Sequence, residues 1–324
     1  MTVRRVLLSA LGVLTAALAP TAAPGQMAYP SQTIKFVVPY PAGGLPDTVA
    51  RIVGKRLQER LGQTLVIENR AGSAGAVGAN ALAASAADGY TLLVSDGAIL
   101  SVNPQIYSKL PYDPKDIAPV AYLAVAPLFL AVHPKVPVAT LQQFVDYAKS
   151  HPGMLNYGSS GVGSIHHISM EALKAALQLN ITHVPYKGTG ESVPALLGGH
   201  VDVLFSAYPS LSGAAGTSRI KLLATNGAER SAQAPELPAI SELIAGFNFA
   251  SMVGIYTRLG TSRAVMQKIA AETSAIVKEP DIIKQLAVVG VEPTGGGPEE
   301  FDRALKAETA RVAKVVQTAG IKVE

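Results

Sequence analysis

Three segments rich in glycine are the parts of this sequence best suited to bind an anion. Glycine permits positive φ angles and a close backbone approach, so successive N–H groups can converge on an anion while serine hydroxyls add hydrogen bonds. Any one such segment could instead form only a tight turn, but three together favour an anion site that needs no arginine. The segments are Ala42-Gly43-Gly44, Gly72-Ser73-Ala74-Gly75-Ala76-Val77-Gly78 and Tyr157-Gly158-Ser159-Ser160-Gly161-Val162-Gly163-Ser164.

Other chemistries find little support in the residue pattern. The chain has no cysteine, and its six histidines form no His-x3-His pair, so thiol catalysis and the common zinc motifs are disfavoured. No Lys-Ser or Lys-Thr follows a glycine run, and Val162 stands where the last glycine of a Gly-x-Ser-x-Gly hydrolase motif would be. We therefore predict no catalytic residue, no metal and no cofactor.

Several single residues near these segments could also face a ligand. Ser164 has the position of a helix N-cap, and His166 and its neighbour in the first turn could reach a ligand, although either could be merely packed or solvated. Tyr186 and Lys187 follow a strand-like run and could lie at the rim of a cleft. Asp202 could accept from an amine, but a structural role at the start of a strand is favoured.

Alternating strand and helix patterns predict an open α/β sheet around the first two glycine segments. The predicted order is β-α-β-α-β, with strands at Thr33–Pro39, Thr64–Glu68 and Tyr90–Ser95 and helices that begin near Pro46 and near Gly75. In such sheets ligands collect at the carboxyl ends of the strands, where helix N-termini offer unpaired N–H groups. The Gly72–Gly78 run could instead serve only to pack a helix of small residues against the sheet.

The first predicted helix carries start and stop signals. Pro46 lacks an N–H and is suited to the first turn, Asp47 complements the positive end of the helix dipole, and Gly62 is suited to the C-terminal cap. The Gly43-Gly44 segment therefore leads directly into a helix N-terminus.

A second alternating series predicts a second lobe, and the chain then returns to the first. The predicted lobes are residues 26–127 with 252–324 and residues 128–251, and we expect the two crossovers near Ala124–Ala131 and Phe249–Thr257. Later elements are predicted as strands at Phe129–His133, Leu155–Gly158, Ile181–Tyr186, Val201–Tyr208, Ile220–Thr225 and Met252–Thr257, and as helices at Leu141–Ser150, Ile165–Leu177, Ser192–Leu197, Arg263–Lys278 and Pro298–Gln317.

The N-terminus and the composition indicate an exported protein. Residues 1–25 have basic Arg4 and Arg5, an apolar stretch and then small residues and prolines, as in a secretory signal peptide. The 324 residues are 48% hydrophobic and carry 27 Lys and Arg against 23 Asp and Glu, which allows two cores and disfavours a nucleic-acid partner. Export without cysteine fits the periplasm.

In order and spacing, a longer set of segments resembles the Bug family, the periplasmic receptors of tripartite tricarboxylate transporters. The resemblance covers essentially the whole chain after the signal peptide. The segments are Tyr29-Pro30-Ser31, Val38–Asp47, Glu68-Asn69-Arg70-Ala71-Gly72, Asp88-Gly89-Tyr90-Thr91-Leu92, Tyr112-Asp113-Pro114 with Pro119-Val120, Tyr157–His166, and His183-Val184-Pro185-Tyr186-Lys187-Gly188.

The resemblance implies a two-lobed periplasmic-binding-protein fold, the type II Venus flytrap, with an open α/β sheet in each lobe. A small carboxylic acid would bind between the lobes, held by the loop Tyr40–Asp47 and closed over by the loop Ser159–Ser164. The predicted ligand-binding residues are Tyr40, Ala42, Gly43, Gly44, Asp47, Ser95, Ser159, Ser160, Gly163, Ser164, His166, Tyr186 and Ala207.

Two departures from the family pattern concern the pocket. Pro46 stands where the family more often has a small or hydroxylated residue, and Met252-Val253-Gly254-Ile255-Tyr256 lacks the aromatic residue that often precedes the crossover glycine. The implied protein is a monomer without enzymatic activity that delivers its ligand to integral membrane transporter subunits. A ligand-sensing subunit of a signalling system and an α/β hydrolase are the alternatives.

Overall fold

The computed structural model describes residues 29–322, which form two α/β lobes; the predicted signal peptide lies outside these residues. The strands are β1 (Ile34–Val38), β2 (Leu65–Asn69), β3 (Thr91–Asp96), β4 (Ile117–Ala126), β5 (Leu128–Val132), β6 (Leu155–Ser159), β7 (Ile181–Pro185), β8 (Val203–Ala207), β9 (Lys221–Thr225), β10 (Ser251–Arg258) and β11 (Glu292–Gly296). The helices are α1 (Leu45–Leu61), α2 (Ala76–Ala83), α3 (Ala98–Ser101), α4 (Asn103–Ile106), α5 (Leu141–Ser150), α6 (Ile165–Leu177), α7 (Thr189–Leu197), α8 (Tyr208–Leu211), α9 (Arg263–Ile276), α10 (Pro280–Val288) and α11 (Pro298–Ala319).

Each lobe is built on one mixed sheet, as the sequence predicted. The first lobe has six strands in the order β11-β4-β10-β3-β1-β2, and the second has five in the order β7-β6-β8-β5-β9. Strands β2, β1 and β3 are parallel, as are β7, β6 and β8, so their carboxyl ends lie at one edge of each sheet. The remaining strand pairs are antiparallel.

The chain passes between the lobes twice, which makes a two-strand hinge. Strand β4 of the first sheet and β5 of the second are separated only by Pro127, and β10 returns the chain to the first sheet between β3 and β4. Both crossovers fall within the predicted segments. The lobe boundaries themselves, at residues 127 and 251, stay a prediction.

Helices α5 and α6 begin and end at the predicted residues, because each carries a strong local start signal. The hydroxyl of Thr140 accepts from the N–H of Gln143, and that of Ser164 accepts from the N–H of His167. Helix α1 begins after its N-cap Gly44 and ends at Gly62, whose φ of 64° is left-handed.

Two strands that the sequence pattern did not reveal contain proline. Pro119 lies inside β4, and β11 is an edge strand that contains Pro293 and two glycines. Proline cannot donate to the ladder, so it tends to occur at edges or bulges. Strand β4 accommodates Pro119 where its pairing with β10 shifts register between Ile255 and Tyr256.

The two lobes contact each other at three places at least. Near α6, a Cβ atom added at Gly163 of the second lobe would lie 2.3 Å from Cδ1 of Ile106 in α4 of the first. Elsewhere, Glu292 Oε1 of β11 accepts from Ser231 Oγ at 2.6 Å and from the N–H of Ala232 at 3.1 Å. The lobes are therefore packed together in this structure. Helix α11 joins them as well, since its Val312 belongs to the main hydrophobic cluster of the second lobe.

Within residues 29–322, none of the helices combines the length and the apolar character that crossing a bilayer requires.

Candidate ligand-binding cleft

The first-lobe loop, Tyr40–Asp47, runs from the carboxyl end of β1 into the N-terminus of α1. Ala42 and Gly43 are exposed, and Gly43 has a φ of 83°, a conformation that glycine adopts without strain. Gly44 is the N-cap, and its carbonyl accepts from the N–H of Thr48 at 2.9 Å. The loop thus presents backbone at a helix N-terminus, where the dipole favours an anion.

Asp47 holds this loop in shape from beneath. Its side chain is 2% exposed and accepts from the N–H of Gly43 at 2.8 Å, from Nε of Arg51 at 2.9 Å and from Nδ2 of Asn69 at 2.9 Å. Burial alone would raise the pKa of Asp47, but these hydrogen bonds outweigh it and hold the pKa below its ordinary value. The carboxylate is thereby occupied inside the loop, and so is the N–H of Gly43.

Tyr40 connects the loop to the carboxyl end of β3. Its hydroxyl donates to Oδ1 of Asp96 at 2.8 Å, and the N–H of Ala98 reaches the same oxygen at 3.2 Å. Burial raises the pKa of Asp96 to about 6. Sequence reasoning missed Asp96, although a carboxylate directly after the predicted strand Tyr90–Ser95 was a usable signal. Ser95, the neighbouring predicted residue, is fully buried.

One glycine of the Gly72–Gly78 segment, Gly78, serves packing. A Cβ atom added at Gly78 would lie 2.6 Å from Cβ and 2.8 Å from Cα of Pro39, so only glycine lets α2 approach the end of β1 this closely. Gly78 therefore supports the packing alternative, and a ligand contact elsewhere in this run stays a prediction.

The second-lobe loop, Ser159–Ser164, runs from β6 into α6 and uses its polar groups internally. Oγ of Ser159 accepts from the N–H of Gly161 at 3.1 Å, and Oγ of Ser164 donates to the carbonyl of Gly161 at 2.8 Å. The N–H of Gly163 donates to Nδ1 of His167 at 3.1 Å. Two of the loop's glycine amides therefore have partners within the protein.

A stack of aromatic side chains supports this loop from behind. The rings of His167 and His183 are 4.2 Å apart, and Tyr157 stacks on His183 at 4.7 Å. Nε2 of His183 lies 2.7 Å from Oγ of Ser159. Burial lowers the pKa of His167 to about 4, with a contribution from His183, so the ring stays neutral and can accept from Gly163.

The remaining predicted residues of the second lobe lie around the same strand ends. Tyr186 is partly buried, and its Cε2 lies 3.5 Å from the Cβ position of Gly158. Ala207 ends β8 and pairs with Leu128, the first residue of β5 after the hinge. Asp202 accepts from the N–H of Asn156 at 2.7 Å and pairs with Nζ of Lys135 at 2.9 Å, which is the structural role that the sequence favoured.

Seven shielded side-chain polar atoms have no hydrogen-bond partner in the described part of the chain, and four of them lie near the carboxyl ends of parallel strands or in the first turn of α6. These four are Oγ of Ser95, Oγ of Ser160, Oγ of Ser206 and Nδ1 of His166. The sequence predicted three of these residues and missed Ser206. Burial lowers the pKa of His166 to about 4, so all four groups are neutral near neutral pH. Buried polar atoms are normally satisfied, so such a group is a candidate ligand contact.

Among residues 29–322, no three His, Asp or Glu side chains are grouped so that they could hold a metal ion.

Comparison with known proteins identifies the family. A sequence model described as "Tripartite tricarboxylate transporter family receptor" (TctC) matches residues 49–321. The chain belongs to this family. BugT of Bordetella pertussis is 30% identical over 321 residues, which are 98% of each chain. The resemblance predicted from the sequence motifs is therefore confirmed, and the protein is a solute-binding receptor by family.

Solved structures of similar proteins support the same fold. An R. palustris protein with adipate is 33% identical, with a TM-score of 0.79 over 91% of this chain and 99% of that one. MatC from Rhodopseudomonas palustris with bound malate is 30% identical, with a TM-score of 0.74 over 89% of this chain and all of that one. The predicted two-lobed Venus-flytrap fold is confirmed.

Proposed function

We propose that this protein binds a small carboxylic acid reversibly between its lobes, in the periplasm, and passes it to membrane subunits of a tripartite tricarboxylate transporter. The observation that carries the proposal is the set of four shielded polar atoms without partners, contributed by both lobes near the ends of parallel strands and in the first turn of α6. Leaving such atoms unpaired costs about 1–3 kcal/mol each, and a ligand held between the lobes would satisfy them.

The first-lobe loop is the proposed grip for the carboxylate. It offers exposed backbone at the N-terminus of α1, an arrangement that stabilises anions without a cationic side chain. The adipate and malate in the two related structures are carboxylates, which supports the same ligand class here. Closure is then a shift of population towards the form in which both lobes contact the ligand.

Titration calorimetry with ligand-free protein tests the proposal. The panel is a set of mono-, di- and aromatic carboxylates, and we expect at least one to bind. Gly43→Val should weaken binding without unfolding the protein, because a branched side chain disfavours the φ of 83° on which the loop depends. If no carboxylate of the panel binds, the proposal is refuted. If Gly43→Val binds with unchanged affinity, the first-lobe loop is not the grip for the carboxylate.

Gly62→Val is the matched control for this variant. Gly62 also has a positive φ, of 64°, and as at Gly43 no atom lies within 4 Å of the Cβ position. It lies at the opposite end of α1, about 25 Å from Gly43 by the rise of the helix. The two substitutions should destabilise the fold similarly, whereas only the one at Gly43 should change affinity.

One contact favours a hydrolase as a second candidate, because Oγ of Ser159 lies 2.7 Å from Nε2 of His183. However, Ser159 is 1% exposed, and Glu171, the nearby acid, pairs with Tyr157 and Lys174 instead. We assign the serine–histidine pair to loop support and infer that the protein is not an enzyme. If NMR shows that a bound acid is unchanged after long incubation, the result agrees with binding and no turnover.

The membrane partner and the monomeric state belong to the proposal as well. A pull-down from membranes with the ligand-loaded protein should recover integral transporter subunits, and recovery of a membrane kinase would favour the sensing alternative. The fold serves both roles, so only the partner separates them.

A further inference from the structure

Two of the unpartnered hydroxyls lie on neighbouring strands of the second lobe. Strands β6 and β8 are parallel, and their register pairs Tyr157 with Val203 and Gly158 with Leu204. Ser206 lies two residues beyond Leu204 in β8, and Ser160 directly follows β6, so an extension of this register would bring the two serines opposite each other. Ser206 is 0% exposed, and neither Oγ has a partner among the residues that the structure describes.

Both serines face the side of the sheet that α7 covers. Leu204 packs in a cluster with Val193 and Leu196 of α7, and the alternation of side chains puts Ser206 on the face of Leu204. On β6, the Cβ position of Gly158 lies 3.6 Å from Cβ of Ser192 in α7, and continuing the alternation one residue beyond β6 puts Ser160 on the same face. The two hydroxyls therefore lie near the first turn of α7.

The first turn of α7 is open at two glycines. No atom lies within 4 Å of the Cβ positions of Gly188, the N-cap, and Gly190, the second residue of the helix. Tyr186 lies at the same end of the sheet, with Cε2 3.5 Å from the Cβ position of Gly158. A ligand group could reach the serines from this side.

Two charged pairs near the loops of the cleft are already formed. Asp47 pairs with Arg51, and Glu171 pairs with Lys174. A second carboxylate buried between two hydroxyls would lack a counter-charge, whereas a neutral oxygen group needs only hydrogen bonds. A serine hydroxyl both donates and accepts, so it can serve a hydroxyl, a carbonyl or an amide.

We propose that Ser160 and Ser206 form a second subsite, which takes a neutral oxygen group of the ligand. The preferred ligand is then a carboxylic acid that carries a hydroxyl, carbonyl or amide group away from its carboxylate. The inference rests on the proposed function, since it assumes that an acid enters this cleft.

Calorimetry with hexanoate, its terminal hydroxy derivative and adipate tests the subsite, because the three differ only at the end remote from the first carboxylate. The wild-type protein should bind the hydroxy acid about tenfold more tightly than either of the others, the size of one well-placed hydrogen bond. Ser206→Ala and Ser160→Ala should each remove most of this preference.

Thermal unfolding separates this role from a structural one. Ser206→Ala removes a buried hydroxyl that has no partner, so it should leave the melting temperature of the ligand-free protein unchanged or raise it. If Ser206 had a structural role, Ser206→Ala would lower the melting temperature. Ser212→Ala is the control, because Ser212 is exposed in the same lobe and its Oγ donates to the carbonyl of Pro209 at 3.0 Å.

Two results would overturn the subsite while leaving carboxylate binding intact. One is equal affinity for hexanoate and the hydroxy acid, with no effect of Ser206→Ala. The other is that adipate binds most tightly and Lys187→Ala abolishes this, because the exposed Lys187 after β7 would then hold a second carboxylate. Failure of every acid in the wider panel would instead refute the proposed function, and the subsite with it.

Discussion

The two glycine-containing loops of the cleft are similar in composition but differ in how they are held. In the first lobe, Ala42 and Gly43 are exposed, and one buried carboxylate, that of Asp47, fixes the loop. In the second lobe, Ser159 and Gly163 are buried, and neutral hydroxyl and imidazole groups fix the loop.

The difference teaches which atoms a glycine-containing loop can offer. An exposed loop supported from beneath by a side chain leaves backbone at its surface. In the second loop, Gly161 and Gly163 donate their N–H groups to Ser159 and His167, so the shielded atom left without a partner is Oγ of Ser160. We therefore expect backbone recognition in the first lobe and side-chain recognition in the second.

The largest effect should come from Asp47→Ala, which removes the support of the first loop. Donors from Gly43, Arg51 and Asn69 lose their acceptor together, and we expect the free energy of unfolding to fall by about 3 kcal/mol, with loss of carboxylate binding. Chemical denaturation and calorimetry measure the two effects.

Arg51→Ala is the control for that variant. Its side chain is 54% exposed, so the ion pair itself should contribute less than about 1 kcal/mol. Asp47 would keep its bonds to Gly43 and Asn69. Equal losses in both variants would mean that the ion pair, and not the bond to the loop backbone, holds the first loop.

Gly163→Ala and Gly43→Ala should differ by a smaller amount in their free energy of unfolding. Both glycines have positive φ, 78° and 83°, but the added Cβ meets Ile106 at 2.3 Å only at position 163. Gly43→Ala should therefore lower the free energy of unfolding by about 1 kcal/mol through backbone strain alone, and Gly163→Ala should lower it by about 2 kcal/mol or more.

The double variant Gly163→Ala/Ile106→Ala tests whether this clash lies between the lobes. It should restore ligand affinity towards that of Ile106→Ala, because the room that Ile106 vacates admits the new methyl group. Calorimetry on the wild type, the two single variants and the double variant gives the coupling free energy between residues 163 and 106. Additive losses would show that the two residues do not meet when the lobes close.

At neutral pH, His167→Gln should change the free energy of unfolding least among these variants. It tests whether the two loops differ in their pH dependence. The pKa of His167 is about 4 in the folded protein against an ordinary 6.5, so its stabilisation is full above pH 6.5 and is lost as the pH falls towards 4. The groups that act on its charge are His183, Glu171 and Lys174.

The first loop should persist through this range, because the pKa of Asp47 lies below 3.8. Hydrogen exchange of the two loops, corrected for its intrinsic pH dependence, should show the second loop opening first on acidification. Glutamine can accept from Gly163 without titrating, so His167→Gln should reduce that response. If both loops open together, His167 does not hold the second loop.

Local signals explain which parts of the fold were predictable. Helix α6 matched its prediction at both ends, because Ser164 caps it and apolar residues repeat along one face. Helix α7 begins at Thr189, three residues before its prediction, because Gly190 and Pro194 weaken its helical pattern. Strand β4 was missed because Pro119 is tolerated only through a bulge against a distant strand.

The sequence by itself determined the two α/β lobes, the family and the loops at which a ligand would bind, since these depend on local periodicity, caps and motif spacing. Only the tertiary structure decided what each loop offers. Asp96, Asn69 and Ser206 belong to the cleft through strand pairing and lobe packing, which bring together residues far apart in the chain. Whether a polar atom is already satisfied depends on such partners, and spacing along the chain does not record them.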